Sequence, residues 1–136
     1  MNTDPVVLYV EDDSLSRKVI ELLLVDQMGL RHVHIFEDST NFVARLEQLS
    51  PPPDVIFLDI HMKPLTGFQM LAILRQHPAY QHLPVVALTA SVMSEEVREL
   101  ETAGFDGCIS KPISISGFPD IFDRILKGEK VWRIIQ

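Results

Sequence analysis

The chain has 136 residues, 46% hydrophobic, 23% charged and 7% aromatic, which is one domain's length with enough apolar content for a core and too much for a disordered chain. Twelve Lys and Arg against 19 Asp and Glu give a formal charge of −7, which repels a phosphate backbone and argues against direct nucleic-acid binding. One cysteine excludes an internal disulfide, no stretch reaches the roughly 18 apolar residues of a membrane span, and MNTDPVV lacks a basic secretory flank, so a soluble cytoplasmic domain is expected.

The first run, Val6-Val7-Leu8-Tyr9-Val10, is apolar throughout, as a strand covered on both faces requires. Leu15, Val19, Leu22 and Leu23 then recur at helical spacing, with Asp13 or Ser14 as N-cap. His32-Val33-His34-Ile35-Phe36 reads as a second strand, and Phe42, Leu46 and Leu49 as a helix entered through Asp38-Ser39-Thr40. Pro51-Pro52-Pro53 is a stiff surface connection into a third strand, Val55-Ile56-Phe57-Leu58. A third helix carries Phe68, Leu71, Ala72 and Leu74, and Val85-Val86-Ala87-Leu88 forms a fourth strand. From Ser94 to Thr102 only Val97 and Leu100 are apolar anchors, so the fourth helix is expected to dock shallowly and move comparatively easily. Gly107-Cys108-Ile109 is the last strand, and Phe118, Ile121, Phe122, Ile125 and Leu126 give the cleanest amphipathic helix.

Strict βαβα alternation implies an α/β fold with right-handed crossovers, a doubly wound parallel sheet and a ligand site outside the carboxyl ends of the strands. Those ends carry Glu11-Asp12-Asp13, Asp59, Thr89 and Lys111-Pro112. Any one of them alone would read as a polar strand-end cap; four ends together do not. Three carboxylates within about 4 Å repel by several kcal/mol in total at an effective dielectric near 20, more than one lysine offsets. A hard divalent cation with oxygen ligands does offset it, and Mg2+ suits few carboxylates plus water and phosphate. Such a site is suited to accepting a phosphoryl group, with Asp59 as nucleophile forming an acyl phosphate and the Thr and Lys side chains donating to its oxygens.

The pieces VLYVEDD, VIFLDIHMKPLTG, VVALTAS and GFDGCISKP, in this order and each after a strand, make the chain resemble the receiver domain of two-component response regulators over about residues 5 to 127. The resemblance implies a five-stranded parallel sheet of flavodoxin-like order 2-1-3-4-5, two helices on one face and three on the other, with a receiver domain at 1–127 and a tail at 128–136. It implies that Asp59 is the phosphoacceptor, Asp12 a direct Mg2+ ligand, Glu11 its partner through water, and His61 a metal ligand through its backbone carbonyl. It further implies that the Thr89 hydroxyl reports phosphorylation, that Lys111 binds phosphate, and that Pro112 follows it through a cis bond. Asp13 is a third acid or simply a helix cap; Ala90 and Ser91 support the site after Thr89, and Ser91 and His61 hold the positions that tune dephosphorylation. The implied partners are a histidine kinase or histidine phosphotransfer protein, a downstream effector protein, and a second copy, read out through the fourth helix, fifth strand and fifth helix. Catalysis then serves signalling rather than turnover, in a stand-alone receiver or a fragment of a larger regulator or hybrid kinase.

Three places depart from the family's commonest pattern. In Lys63-Pro64 the proline comes one position late, which alters the loop beside Asp59 without touching the phosphate ligands. Cys108 replaces an aromatic residue that couples phosphorylation to the outer face, and reads as a buried small hydrophobe rather than a redox group. The tail GEKVWRIIQ carries Trp132, Ile134 and Ile135, which either pack back on the domain, lead into a longer linker, or serve self-association or a partner. The alternative function is a phosphorylation-independent binding module, for which Cys108 leaves room. A haloacid-dehalogenase-type phosphatase needs an acid where His61 stands, and a flavodoxin-like cofactor binder needs a Ser/Thr/Gly turn where Glu11-Asp12-Asp13 would repel phosphate. His32 and His34 share a strand face but lack the further ligands of a zinc site.

Overall fold

The doubly apolar runs take the centre of one parallel sheet. The structure, a computed structural model, describes residues 4–90 and 93–133, with the backbone alone at 133. In chain order the elements are β1 (Val6–Val10), α1 (Ser14–Glu21) with a π-helical continuation (Leu22–Gln27), β2 (His32–Phe36), α2 (Phe42–Glu47), β3 (Val55–Asp59), α3 (Gly67–Gln76), β4 (Val85–Thr89), α4 (Ser94–Ala103), β5 (Gly107–Ser110), α5 (Phe118–Leu126) and β6 (Val131–Arg133). The sheet runs β2-β1-β3-β4-β5-β6 with every neighbouring pair parallel. The expected flavodoxin-like order is present, with a sixth strand added at one edge.

Strand alternation divides the core in two. Val7, Tyr9, Phe57, Val86 and Ile109 face α1 and α5, whose Ile20, Leu23, Leu24, Phe118, Ile121, Phe122 and Ile125 cover them. Leu8, Val10, Leu58, Ala87 and Cys108 face α2, α3 and α4, meeting Phe42, Leu46, Met70, Leu71, Leu74 and Leu100. The first helix corrects part of the sequence reading: Leu15 and Leu22 are 68% and 42% exposed, whereas Leu23 is buried as expected and is joined by Ile20 and Leu24. Two overlapping apolar stripes run along this helix, and periodicity alone does not rank them. The cap of α2 also differs. Asn41 precedes it in a left-handed conformation without a side-chain cap. Ser39 is instead buried, with its hydroxyl donating to the Leu65 carbonyl (2.8 Å) and accepting from the Leu65 amide (2.7 Å), which ties the β2–α2 connection to the loop after β3. As expected, α4 docks shallowly: Leu100 is its one buried residue. Among the described residues no helix is long and apolar enough to cross a membrane.

After α5 the chain turns through Gly128 (φ 93°) and lays β6 beside β5, pairing Gly107 with Val131, Cys108 with Trp132 and Ile109 with Arg133. Val131 is buried on the α5 side, whereas Trp132 is half-buried and packs against the cluster holding Cys108, Leu100 and Phe105. Of the apolar tail residues, Trp132 thus packs back on the domain, while Ile134 and Ile135 lie outside the described residues. Gly107 permits this approach, because a Cβ there would meet the Val131 carbonyl oxygen. Gly107→Ala is therefore expected to dislodge β6 and lower stability by about 1–3 kcal/mol, the size of a backbone clash without loss of the main core. Thermal unfolding by circular dichroism checks this, and an unchanged midpoint would refute the close approach.

Candidate functional site

Register brings the chemistry to one edge. Val10 pairs with Leu58, so Glu11 and Asp12 leave β1 beside Asp59; Asp59 pairs with Leu88, and Thr89 pairs with Ser110 immediately before Lys111. Ligand oxygens of Glu11, Asp12 and Asp59 all lie within 4.8 Å of one another, with Glu11 and Asp59 buried and Asp12 exposed.

Each carboxylate is held differently. Glu11 Oε1 accepts from the Tyr9 hydroxyl (2.6 Å) and from Lys111 Nζ (2.7 Å), while Oε2 accepts from the Asp13 amide (3.2 Å). Burial raises the Glu11 carboxyl, but donation from Lys111 and Tyr9 overcomes it and leaves the group below its ordinary value. Asp59 is pushed up to about 7, first by burial and then by Glu11 beside it; Lys111 and the His61 amide pull weakly the other way. The Lys111 ammonium stands 3.7 Å from Asp59 Oδ1, and the His61 amide lies 3.4 Å from the same oxygen. One lysine therefore serves two buried carboxylates and favours Glu11.

The supporting residues divide. Asp13 caps α1, accepting from the Ser16 amide (2.8 Å) and hydroxyl (2.7 Å), and stands outside the three-carboxylate group. Thr89 is buried, and its carbonyl accepts from the Lys111 amide at 2.9 Å. The Lys111-Pro112 bond is cis, and so is Lys63-Pro64 in the loop after Asp59. His61 and Ala90 are exposed, Cys108 is fully buried one strand away, and Ser91 lies outside the described residues. Burial pushes the Cys108 thiol up to about 11, in keeping with an inert core residue.

Two contributors escaped the sequence reading. Tyr9 shares a face with Glu11 by its i, i+2 spacing, a signal hidden because a tyrosine in an apolar strand reads as core. Arg17, one turn into α1, donates from Nη1 to the carbonyls of Glu11 (3.0 Å) and Asp12 (2.8 Å) and so fixes the turn that presents both acids. From the other side, α3 begins against the backbone of β3. The Gly67 amide donates to the Ile60 carbonyl (3.0 Å), and a Cβ at Gly67 would lie 2.9 Å from the Asp59 carbonyl oxygen. A capping box between Thr66 and Gln69 completes that junction.

The family model for the response regulator receiver domain matches residues 7–123. This chain belongs to that family. Among its relatives, Stress response regulator protein 1 of Meyerozyma guilliermondii is 30% identical over 125 residues, covering 88% of this receiver domain and 56% of that protein. Signal transduction histidine-protein kinase BarA of Escherichia coli is 33% identical over 125 residues, covering 92% of this chain but 13% of the kinase. The chain thus spans only part of the length of these relatives. The receiver domain of a sensor histidine kinase of Pseudomonas aeruginosa, solved with a magnesium ion coordinated in its active-site cleft, superposes with a TM-score of 0.79 at 24% identity, over 93% of this chain and 100% of that one. The receiver domain described here is accordingly a two-component signalling module. Its three carboxylates are an all-oxygen donor set with one member open to water, which fits Mg2+.

Proposed function

We propose that this receiver domain is a phosphoacceptor switch in which Asp59 takes a phosphoryl group from a phosphohistidine. The observation that carries this reading is the meeting of Glu11, Asp12 and Asp59 oxygens within 4.8 Å, with the Lys111 ammonium 3.7 Å from Asp59. An Asp59 oxygen attacks phosphorus as the P–N bond to the imidazole breaks. An acyl phosphate forms, and the released imidazole nitrogen takes up a proton. Glu11, Asp12, Asp59 and the His61 backbone carbonyl would hold Mg2+, which when bound supplies charge neutralisation for the phosphoryl oxygens. Lys111 donates to one of those oxygens and the Thr89 hydroxyl to another, so Thr89 reports the modification. Glu11 keeps Lys111 close before transfer, and phosphorylation redistributes that ammonium between the two.

The donor is a histidine kinase or a histidine phosphotransfer protein. An apolar hollow of about 80 Å3 lined by Leu15, Val19, Pro112 and Ile113 adjoins Lys111, and the neighbouring Leu15 and Ile115 are exposed, which suits a helical donor bringing its histidine over the site. The effector, or a second copy, reads α4 and α5. The edge of β5 is covered by β6, so that face includes β6 in its place.

Intact mass after incubation with Mg2+ and a small acyl-phosphate donor tests the reading. Wild type is expected to gain one phosphoryl group and Asp59→Ala none. No gain in folded wild type would favour a phosphorylation-independent binding module, and a gain retained by the variant would name the wrong nucleophile.

A further inference from the structure

The position of Trp132 has a bearing on the switch. β6 sets it level with Cys108, and residues paired in register share a sheet face, so its indole lies on the side covered by α4. Cys108 is small and fully buried, which leaves room beside it for a large neighbour. Trp132 packs against the cluster that includes Cys108, Phe105 and Leu100, and Leu100 is the single buried residue of α4. On its other side α4 borders space. A cavity of about 160 Å3 lies between Glu96, Glu99 and Leu100 of α4, Phe68 of α3, and Ile60, His61 and Thr89 at the carboxyl edge of the sheet. Leu100 thus lines the cavity beside Thr89 and belongs to the same buried cluster as Cys108, the register partner of Trp132.

We infer that Trp132 is a positioning residue for phosphoryl acceptance, forming the far wall of the seat of α4 so that closure of α4 on Thr89 and burial of Trp132 are one equilibrium. This rests on the phosphoacceptor reading of Asp59. A phosphoryl group beside Thr89 adds charge and acceptor oxygens at the mouth of the cavity, and α4 buries only Leu100. Leu100 moves with α4, and the packing of Trp132 changes with it. The coupling is reciprocal: if phosphorylation moves Trp132, altering Trp132 changes how readily the phosphorylated state forms or persists.

Trp132 is the sole tryptophan, so its emission reports on this site alone. Wild type is treated with Mg2+ and acetyl phosphate, with intact mass and tryptophan emission with acrylamide quenching followed on the same sample. A one-phosphoryl gain accompanied by a change in emission maximum and quenching, both absent in Asp59→Asn, is the expected result. In Trp132→Ala the rates of phosphoryl gain and loss should change by roughly threefold to tenfold, with Trp132→Phe close to wild type. Gly107→Ala, which displaces β6 without altering the indole, should reproduce the Trp132→Ala rates. Phosphoryl gain with unchanged emission and unchanged rates in both variants would overturn the role of Trp132 and leave the phosphoacceptor reading standing. Absence of phosphoryl gain in wild type would overturn both.

Discussion

Asp59→Asn is expected to make the metal-free domain more stable at pH 8, and by less than half as much at pH 5. The folded Asp59 carboxyl is raised from its ordinary 3.8 to about 7 by burial and by the Glu11 carboxylate. Between roughly pH 4 and pH 7 the folded state therefore binds more protons than the unfolded chain, and stability falls as pH rises through that window. Above it the penalty is complete, and an amide of the same shape removes it. The gain at pH 8 is on the order of 1–3 kcal/mol, several degrees in thermal midpoint for a domain of this size. Glu11 has the opposite sign. Its carboxyl lies below the ordinary 4.5, so its stabilisation is present above that value and lost only as pH falls through the lower folded value, away from the Asp59 window. Mg2+ supplies the check, since it competes with the proton for the same oxygens. Wild type should gain more thermal stability from Mg2+ at pH 8 than at pH 5, and Asp59→Asn little at either. An equal gain for the variant at both pH values would mean that Asp59 does not carry the buried charge.

Lys111→Met has the second large effect, and its two consequences run in opposite directions. Lys111 is 16% exposed and its ammonium bonds a fully buried Glu11, so truncation leaves that carboxylate to Tyr9 and the Asp13 amide beside Asp59. Breaking one side of a buried pair costs about 3–5 kcal/mol, and proton uptake by the carboxylates lessens this, giving about 2–4 kcal/mol at pH 8 and less at pH 5. Urea denaturation at the two pH values measures it. Losing a donor to the phosphoryl oxygens slows acceptance by about a hundredfold or more. Yet removal of a positive charge 3.7 Å from Asp59 should tighten Mg2+ binding several-fold. A variant that had merely lost its fold would lose both properties, so tighter metal binding with slower phosphoryl gain is the distinguishing result.

Much of this was legible in the sequence, for identifiable reasons. Strands apolar on both faces can sit only in a covered parallel sheet, so β1, β3 and β4 and the site at their ends followed from residue type. Any one of Glu11, Asp12, Asp59 and Lys111 alone would read as a strand-end cap; they were legible because several strand ends carry such groups together, and the sheet brings them to one edge as expected. The face of α1 was read correctly at Val19 and Leu23 but not at Leu15 and Leu22, which are as apolar as the residues that are buried. β6 is only three residues long and carries no alternation that could mark it; the apolar tail allowed packing back on the domain but did not say as a strand, and a glycine such as Gly107 does not say what approaches it. The uneven division of one ammonium between two carboxylates depends on distances of 2.7 and 3.7 Å, which residue order does not encode.

Gly67 gives the carboxylate edge a stiff side and a compliant one. With no Cβ, it lets the start of α3 rest directly on the backbone of Asp59 and Ile60, and Thr66, Gln69 and Ser39 brace that junction with hydrogen bonds. On the α4 side a cavity of about 160 Å3 lies between Thr89 and the Glu96, Glu99 and Leu100 side of α4. On the proposed phosphoacceptor reading, the missing methyl group at Gly67 closes the α3 side of Asp59 to movement, so a chemical event at this edge is expected to be taken up on the side of the cavity.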